Sequence, residues 1–196
     1  NLPRDLTSAR SVEALRLSLV CSLIATAVSI LFGTPLAWVL ARTEMPGRSV
    51  LRALVLLPMV LPPVVGGVAL LSAFSLRSPI GGWLHDVADI QLTFSSAGVV
   101  MAETFVAMPF FVITVEGALR SMDTRFEEAA ATLGADRATV FRRVTIPMIG
   151  PSMMAGAVLA WARALGEFGA TLTSAGNIAG RTRTLPLAVY LELESD

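Results

Sequence analysis

Long uncharged runs dominate the chain, and they set its architecture. Leu17 to Ala41 holds 25 residues without a charge, Ala53 to Leu76 holds 24, and Val144 to Ala162 holds 19. A helix needs roughly 20 apolar residues to cross the hydrocarbon core of a bilayer, so each run predicts a membrane span. A fourth span is predicted over Phe94 to Val115, interrupted by Glu103. A single carboxylate at a helix centre costs about 2.5–3.5 kcal/mol on insertion scales, which flanks this apolar can carry if the group faces the bundle interior or water. Helices on the surface of a soluble domain show one polar face; these runs show none. The expected fold is all-α, a polytopic membrane helix bundle.

The second run, "LPMVLPPVVGGVALL", departs from a regular span. Pro58, Pro62, Pro63, Gly66 and Gly67 crowd one segment, and each proline removes a backbone donor and clashes with the preceding turn. Irregular backbone at membrane depth is tolerated where protein or a water-filled cavity covers it. Two readings stand here: a broken helix beside a translocation path, or a kinked packing helix.

Composition agrees with the pattern. Mean hydropathy is +0.69, hydrophobic residues make up 54% of the chain and charged residues 15%, against roughly 25% charged in soluble domains. Net charge is zero, which gives no general pull toward nucleic acid. Every basic residue is Arg; the chain has no Lys, so the Walker A phosphate loop, which needs one, is excluded. One Cys and one His can form neither a disulfide framework nor a Cys/His metal cluster. Cys21 reads as a small buried residue and His85 as a solvated loop residue. No nucleophile motif is visible, and an intramembrane enzyme built on Glu103 lacks a second catalytic group nearby in sequence.

Loop charge predicts orientation. Arg42, Arg48 and Arg52 follow the first span, and Arg120, Arg125, Arg137, Arg142 and Arg143 follow the third, whereas the second is followed by Arg77 alone. The positive-inside rule puts the first two loops in the cytoplasm. Arg4, Arg10 and Arg16 then sit on the outside, against the rule. The opening "NLPRDLTSARSVEAL" reads as a connection entering the first span, and the closing "LAVYLELESD" stops as if another span followed. Residues 1–196 are therefore expected to form one transmembrane domain lacking a helix at each end, from a parent of about six spans.

"EEAAATLGADRATVFRRV", residues 127–144, looks like a helix-turn-helix. A DNA reader needs its recognition helix free to enter a major groove, yet Val144 opens the next span directly after Arg143. DNA binding is therefore rejected, although a membrane-tethered regulator remains the rival of a different class. Two short helices joined at Gly134 instead make a cytoplasmic projection over about residues 117–146. Gly134 suits positive φ at a helix end. Ala129, Ala130 and Ala131 offer a surface for close approach, and Glu127 and Glu128 could pair with a partner's basic groups or with Arg125.

Glu128-Ala129-Ala130, then Gly134, then Val144-x-Ile146-Pro147 resembles the "EAA…G…I-x-LP" motif of ATP-binding-cassette importer permeases of the MetI-like kind, with Val144 and Ile146 as conservative replacements. The resemblance implies that the projection forms coupling helices docking on a separate ATPase subunit, with Glu127, Glu128, Ala129, Ala130, Gly134, Ala135, Ile146 and Pro147 at the coupling site. "ARALGEFGATL", residues 162–172, "AGNIAGRTRTLPLAVY", residues 175–190, and "LPPVVGG", residues 61–67, are similar to the molybdate/tungstate subgroup. A sulfate or thiosulfate permease, which shares an Arg-x-x-Gly-Glu block, is the near alternative.

A physical reading makes Pro62, Pro63, Gly66, Arg163, Gly166, Glu167, Gly169 and Thr171 candidates for the pathway or its gate. It places Gly176, Asn177, Arg181 and Arg183 in an external segment, where the arginines meet a delivery protein or are simply solvated. Arg163 and Glu167 stand i, i+4 and can pair across one turn. Arg163 could instead meet a passing oxyanion, which a guanidinium fork matches; the pair is the favoured reading, since conduction requires weak binding. Gly166 and Gly169 are expected at close helix contacts. Implied partners are the ATPase subunits, an extracytoplasmic molybdate-binding protein, a second copy of the chain and the lipid bilayer of a bacterial or archaeal cell membrane, with no nucleic acid. The chain is expected to be a transport subunit, not an enzyme, with no cofactor of its own and ATP and magnesium bound on the partner.

Overall fold

The computed structural model describes residues 9–195. Two of the arginines expected on the outside thus lie beyond description: Arg4 and the side chain of Arg10 are outside the described residues, as are Asn1 and Asp196. Ten α-helices are described: α1 (Ala9–Arg42), α2 (Arg48–Val60), α3 (Pro63–Phe74), α4 (Pro79–Ala88), α5 (Ser96–Ser121), α6 (Arg125–Thr132), α7 (Arg137–Val140), α8 (Ile146–Leu165), α9 (Gly169–Ser174) and α10 (Leu185–Ser195). A π-turn over Phe141–Thr145 joins α7 to α8. Three helical stretches, Ser11–Arg42, Ser96–Ser121 and Arg137–Leu165, are long and apolar enough to cross a membrane.

These three stretches pack together, with α5 between α1 and α8. The buried face of α1 carries Ala14, Ser18, Cys21, Ser22, Ala25, Ser29 and Ala37, recurring at the three-to-four-residue spacing of one helical stripe, while Leu19, Leu23, Leu31 and Phe32 point outward. Small residues inside and large apolar ones outside invert the order of a soluble domain. In lipid no hydrophobic gain drives helices together, so close fit of small residues does. Phe111 of α5 fills the centre: a Cβ on Gly33 of α1 would lie 2.8 Å from its ring, and one on Gly156 of α8 would lie 3.3 Å from it. Cys21 is buried as expected, at 2% exposure.

The second expected span is two helices. α2 and α3 meet at 117° across Leu61 and Pro62, because Pro63 begins α3 and Leu61 turns to extended backbone before the prolines. α2 buries none of its residues, while α3 rests on α9 through Gly67 and on Phe105 of α5 through Gly66. His85 corrects its expected place: it sits near the end of α4, not in a loop, 3.8 Å from Asp89. The span expected over Phe94 to Val115 begins at Ser96, where Ser95 caps α5 by accepting from the Gly98 N–H, and Glu103 is interior, at 1% exposure.

Candidate functional site

The elbow after α5 is specified almost residue by residue. Glu127 and Glu128 stand in the first turn of α6, where acidic side chains complement the helix dipole. At its end Gly134 takes φ 85°. Its N–H donates to Ala131 O at 3.0 Å and that of Ala135 donates to Ala130 O at 3.1 Å. These two bonds form the Schellman stop, which needs a residue free to take positive φ. Asp136 then caps α7 through the Thr139 N–H. Hydrogen bonds from Thr139, side chain first, hold the Asp136 carboxyl below its ordinary value, which favours the ionised, capping form.

The second arm of the elbow is not a separate helix. α7 runs through the π-turn into α8 as one helical stretch, Arg137–Leu165. Pro147 lies in the first turn of α8; it has no N–H to offer the carbonyl four residues back and its ring crowds that carbonyl. The backbone widens just before it, and the Ile146 N–H reaches Phe141 O. Ile146 and Pro147 thus shape the root of the elbow rather than its tip.

At the tip, Leu133 is 89% exposed and Phe126 56%, flanked by exposed Glu128, Ala129 and Ala131, with Ala130 and Ala135 half-buried. Glu127 corrects its expected role toward a partner or Arg125. It turns inward, with Oε2 3.3 Å from the Arg42 guanidinium and Oε1 accepting from the Thr145 hydroxyl at 2.6 Å. Adjacent residues on a helix point about 100° apart, so the two glutamates face different surroundings.

A neighbouring charge cluster escaped sequence reasoning. Glu116, buried on α5, accepts from Arg120 Nε at 2.9 Å and lies 3.5 Å from Arg52 of α2; Arg120 also donates to Leu40 O at the end of α1. The i, i+4 spacing of Glu116 and Arg120 was the available signal. These contacts gather Arg42, Arg52 and Arg120 at the elbow's end of the bundle. Arg181 lies at the other end, its carbonyl accepting from Ser96 at the start of α5.

The second site surrounds Glu167, which is 1% exposed. Arg163 Nη1 approaches its Oε2 at 2.6 Å, an ion pair without hydrogen-bond alignment. Its Oε1 accepts the Ala170 N–H at 2.8 Å, so the carboxylate also caps α9. The favoured pair is present. Glu103 Oε2, Thr171 Oγ1 and Thr184 Oγ1 are buried without hydrogen-bond partners. Pro63 and Gly169 meet directly: a Cβ on Gly169 would lie 3.2 Å from Pro63 Cβ. Gly166 corrects its expectation, since a Cβ there would meet only Ala162 O, at 3.5 Å; it ends α8 and spaces no helices. Gly66 underlies Phe105, and Pro62 marks the bend. Beyond α9, Gly176 takes φ 77° beside Phe94, and Asn177 accepts from Arg183 at 2.9 Å, which leaves Arg183 half-buried and Arg181 exposed. The structure thus forms two separate sites, the elbow and the Glu167 region.

Residues 19–190 match the family described as binding-protein-dependent transport system inner membrane component. The chain is 51% identical over 193 residues to a molybdenum transport system permease protein of Mycobacterium tuberculosis, covering 97% of this chain and 72% of that one. It is 39% identical over 188 residues to a sulfate transport system permease protein of Salmonella typhimurium, covering 96% and 68%. Its fold is similar to a solved bacterial ABC transporter involved in the import of the acidic polysaccharide alginate, with TM-score 0.64 and 21% identity, over 97% of this chain and 61% of that one.

Proposed function

The chain belongs to the family of binding-protein-dependent transport system inner membrane components, and on that premise we propose that it is the membrane-spanning subunit of an ATP-binding-cassette importer for molybdate or tungstate. It is a membrane transport subunit and not itself an enzyme. The elbow carries the reading: a projection with a positive-φ glycine, exposed Leu133 and Phe126, and a direct helical run into a span. Exposed large apolar side chains on a short polar projection favour a protein partner, and this one is the ATPase subunit.

In this reading the arginine-rich end lies in the cytoplasm, the chain crosses the membrane several times, and two copies flank the pathway. ATP and magnesium bind on the partner. Closure of the ATPase pair moves the elbows and reverses access; a molybdate-binding protein delivers the substrate to the outer face. Because a ligand shifts an equilibrium only by its differential affinity for two states, that protein favours one conformation over the other. The Arg163–Glu167 pair, joined to α9 and beside the α3 bend, is suited to a gate that closes without holding the anion. A sulfate permease of the same architecture is the second reading, favoured by the likeness to the Salmonella protein.

The test is uptake of labelled molybdate by the full-length protein, reconstituted in liposomes with its ATPase and binding protein. Competition by tungstate but not sulfate supports the proposal. Equal competition by sulfate moves the substrate to the second reading, and ATP-independent or absent uptake of molybdate refutes the proposal.

A further inference from the structure

Glu127 and Glu128 look interchangeable in the sequence, and the structure separates them. Glu128 is exposed beside the apolar tip. Glu127 is half-buried and bridges three elements: Arg42 at the last turn of α1, its own helix α6, and Thr145 in the π-turn. Thr145 is 1% exposed, and Arg42 has 17% of its side chain exposed. Packing of α6 is with α7 and the π-turn, without extensive contact to α1 or α5. Among the described residues, Arg42–Glu127 is the ion pair that joins the elbow to another element. The Glu116 cluster links α5 to α1 and α2 and bypasses the elbow.

We infer that Glu127 is a positioning residue and not a docking residue: with Arg42 and Thr145 it tethers the elbow to α1 and to the head of α8, so that elbow displacement reaches both spans. The inference rests on the coupling role proposed above. A π-turn is a local widening that helices use where they must adjust, and the Thr145 hydroxyl pins the Glu127 carboxylate to it. A displaced elbow without this tether would bend at Gly134 and at the π-turn rather than carry the spans with it.

The experiment compares E127Q, E128Q, T145V and the charge swap R42E/E127R in the full-length permease, co-purified with its ATPase and reconstituted with the binding protein. Three readouts are taken: ATPase subunit retained on purification, molybdate imported per ATP hydrolysed, and the distance distribution between spin labels at Ser121 and Thr132 in a Cys21→Ser background. E127Q is expected to retain the ATPase subunit while import per ATP falls about tenfold and T145V lowers it about threefold, the range that loss of one intramolecular polar contact gives. The spin-label distribution broadens in E127Q, and the charge swap narrows it and restores import. Loss of the ATPase subunit from E127Q, or import and distance distribution both unchanged, overturns the tether. A wild-type complex that imports no molybdate refutes the molybdate reading instead. The spin-label comparison needs no substrate and still decides the tether.

Discussion

The α1–α5–α8 bundle and the α2–α3 arm have the same apolar character and are held in opposite ways. In the bundle, glycines, alanines and serines let backbones close on Phe111. The arm turns through 117°, and α2 buries no residue of its own. Apolar composition therefore does not decide what packs in a bilayer, since lipid tails solvate leucine as well as another helix does. Small residues placed opposite a large one decide it. The bundle is suited to act as the rigid body, and the arm, docked on α9 through Gly67, is suited to move.

Phe111→Ala should break the bundle most severely. A fully buried phenylalanine truncated to alanine costs about 3–5 kcal/mol, read as a large fall in the midpoint of thermal unfolding in detergent. Arg163→Ala should cost about 3 kcal/mol, because Glu167 would remain as an uncompensated buried charge; Arg163→Ala/Glu167→Gln should recover part of that loss, and no recovery would mean the pair is not the source. Gly134→Ala should cost about 1–2 kcal/mol for a side chain in the left-handed region, with little change in bundle unfolding but weaker coupling of ATP hydrolysis to import. Val60→Ala, at 82% exposure in the arm, should stay within about 0.5 kcal/mol. An effect of Val60→Ala comparable to that of Phe111→Ala would erase the distinction between bundle and arm.

Much of this was legible in the residues. Uncharged run length located the spans, Gly134 announced its positive φ, and the spacing of Arg163 and Glu167 announced their pair. The prolines at 58, 62 and 63 left a break and a kink equally open; the break falls at Leu61 and Pro62, while Pro58 stays inside α2. Glu127 was misjudged because local sequence shows neither Arg42, 85 positions away, nor the π-turn that brings Thr145 beneath it. Gly166 was misjudged for a similar reason: a glycine motif does not say which glycine faces a neighbour and which merely ends a helix. Glu116 was missed although its i, i+4 partner was in view, since the arginine contributed by α2 appears only once α2 lies against α5.

Central to the account is that the elbow tip meets an ATPase subunit. The most direct test places a photo-crosslinker at Leu133 in the full-length permease, within membranes that also contain its ATPase subunit and binding protein. The account predicts an ATPase-subunit adduct at position 133 whose yield changes when ATP is bound, and no such adduct from a probe at Val60. Labelling of lipid alone at position 133, in membranes where the ATPase subunit is present and active, would contradict it.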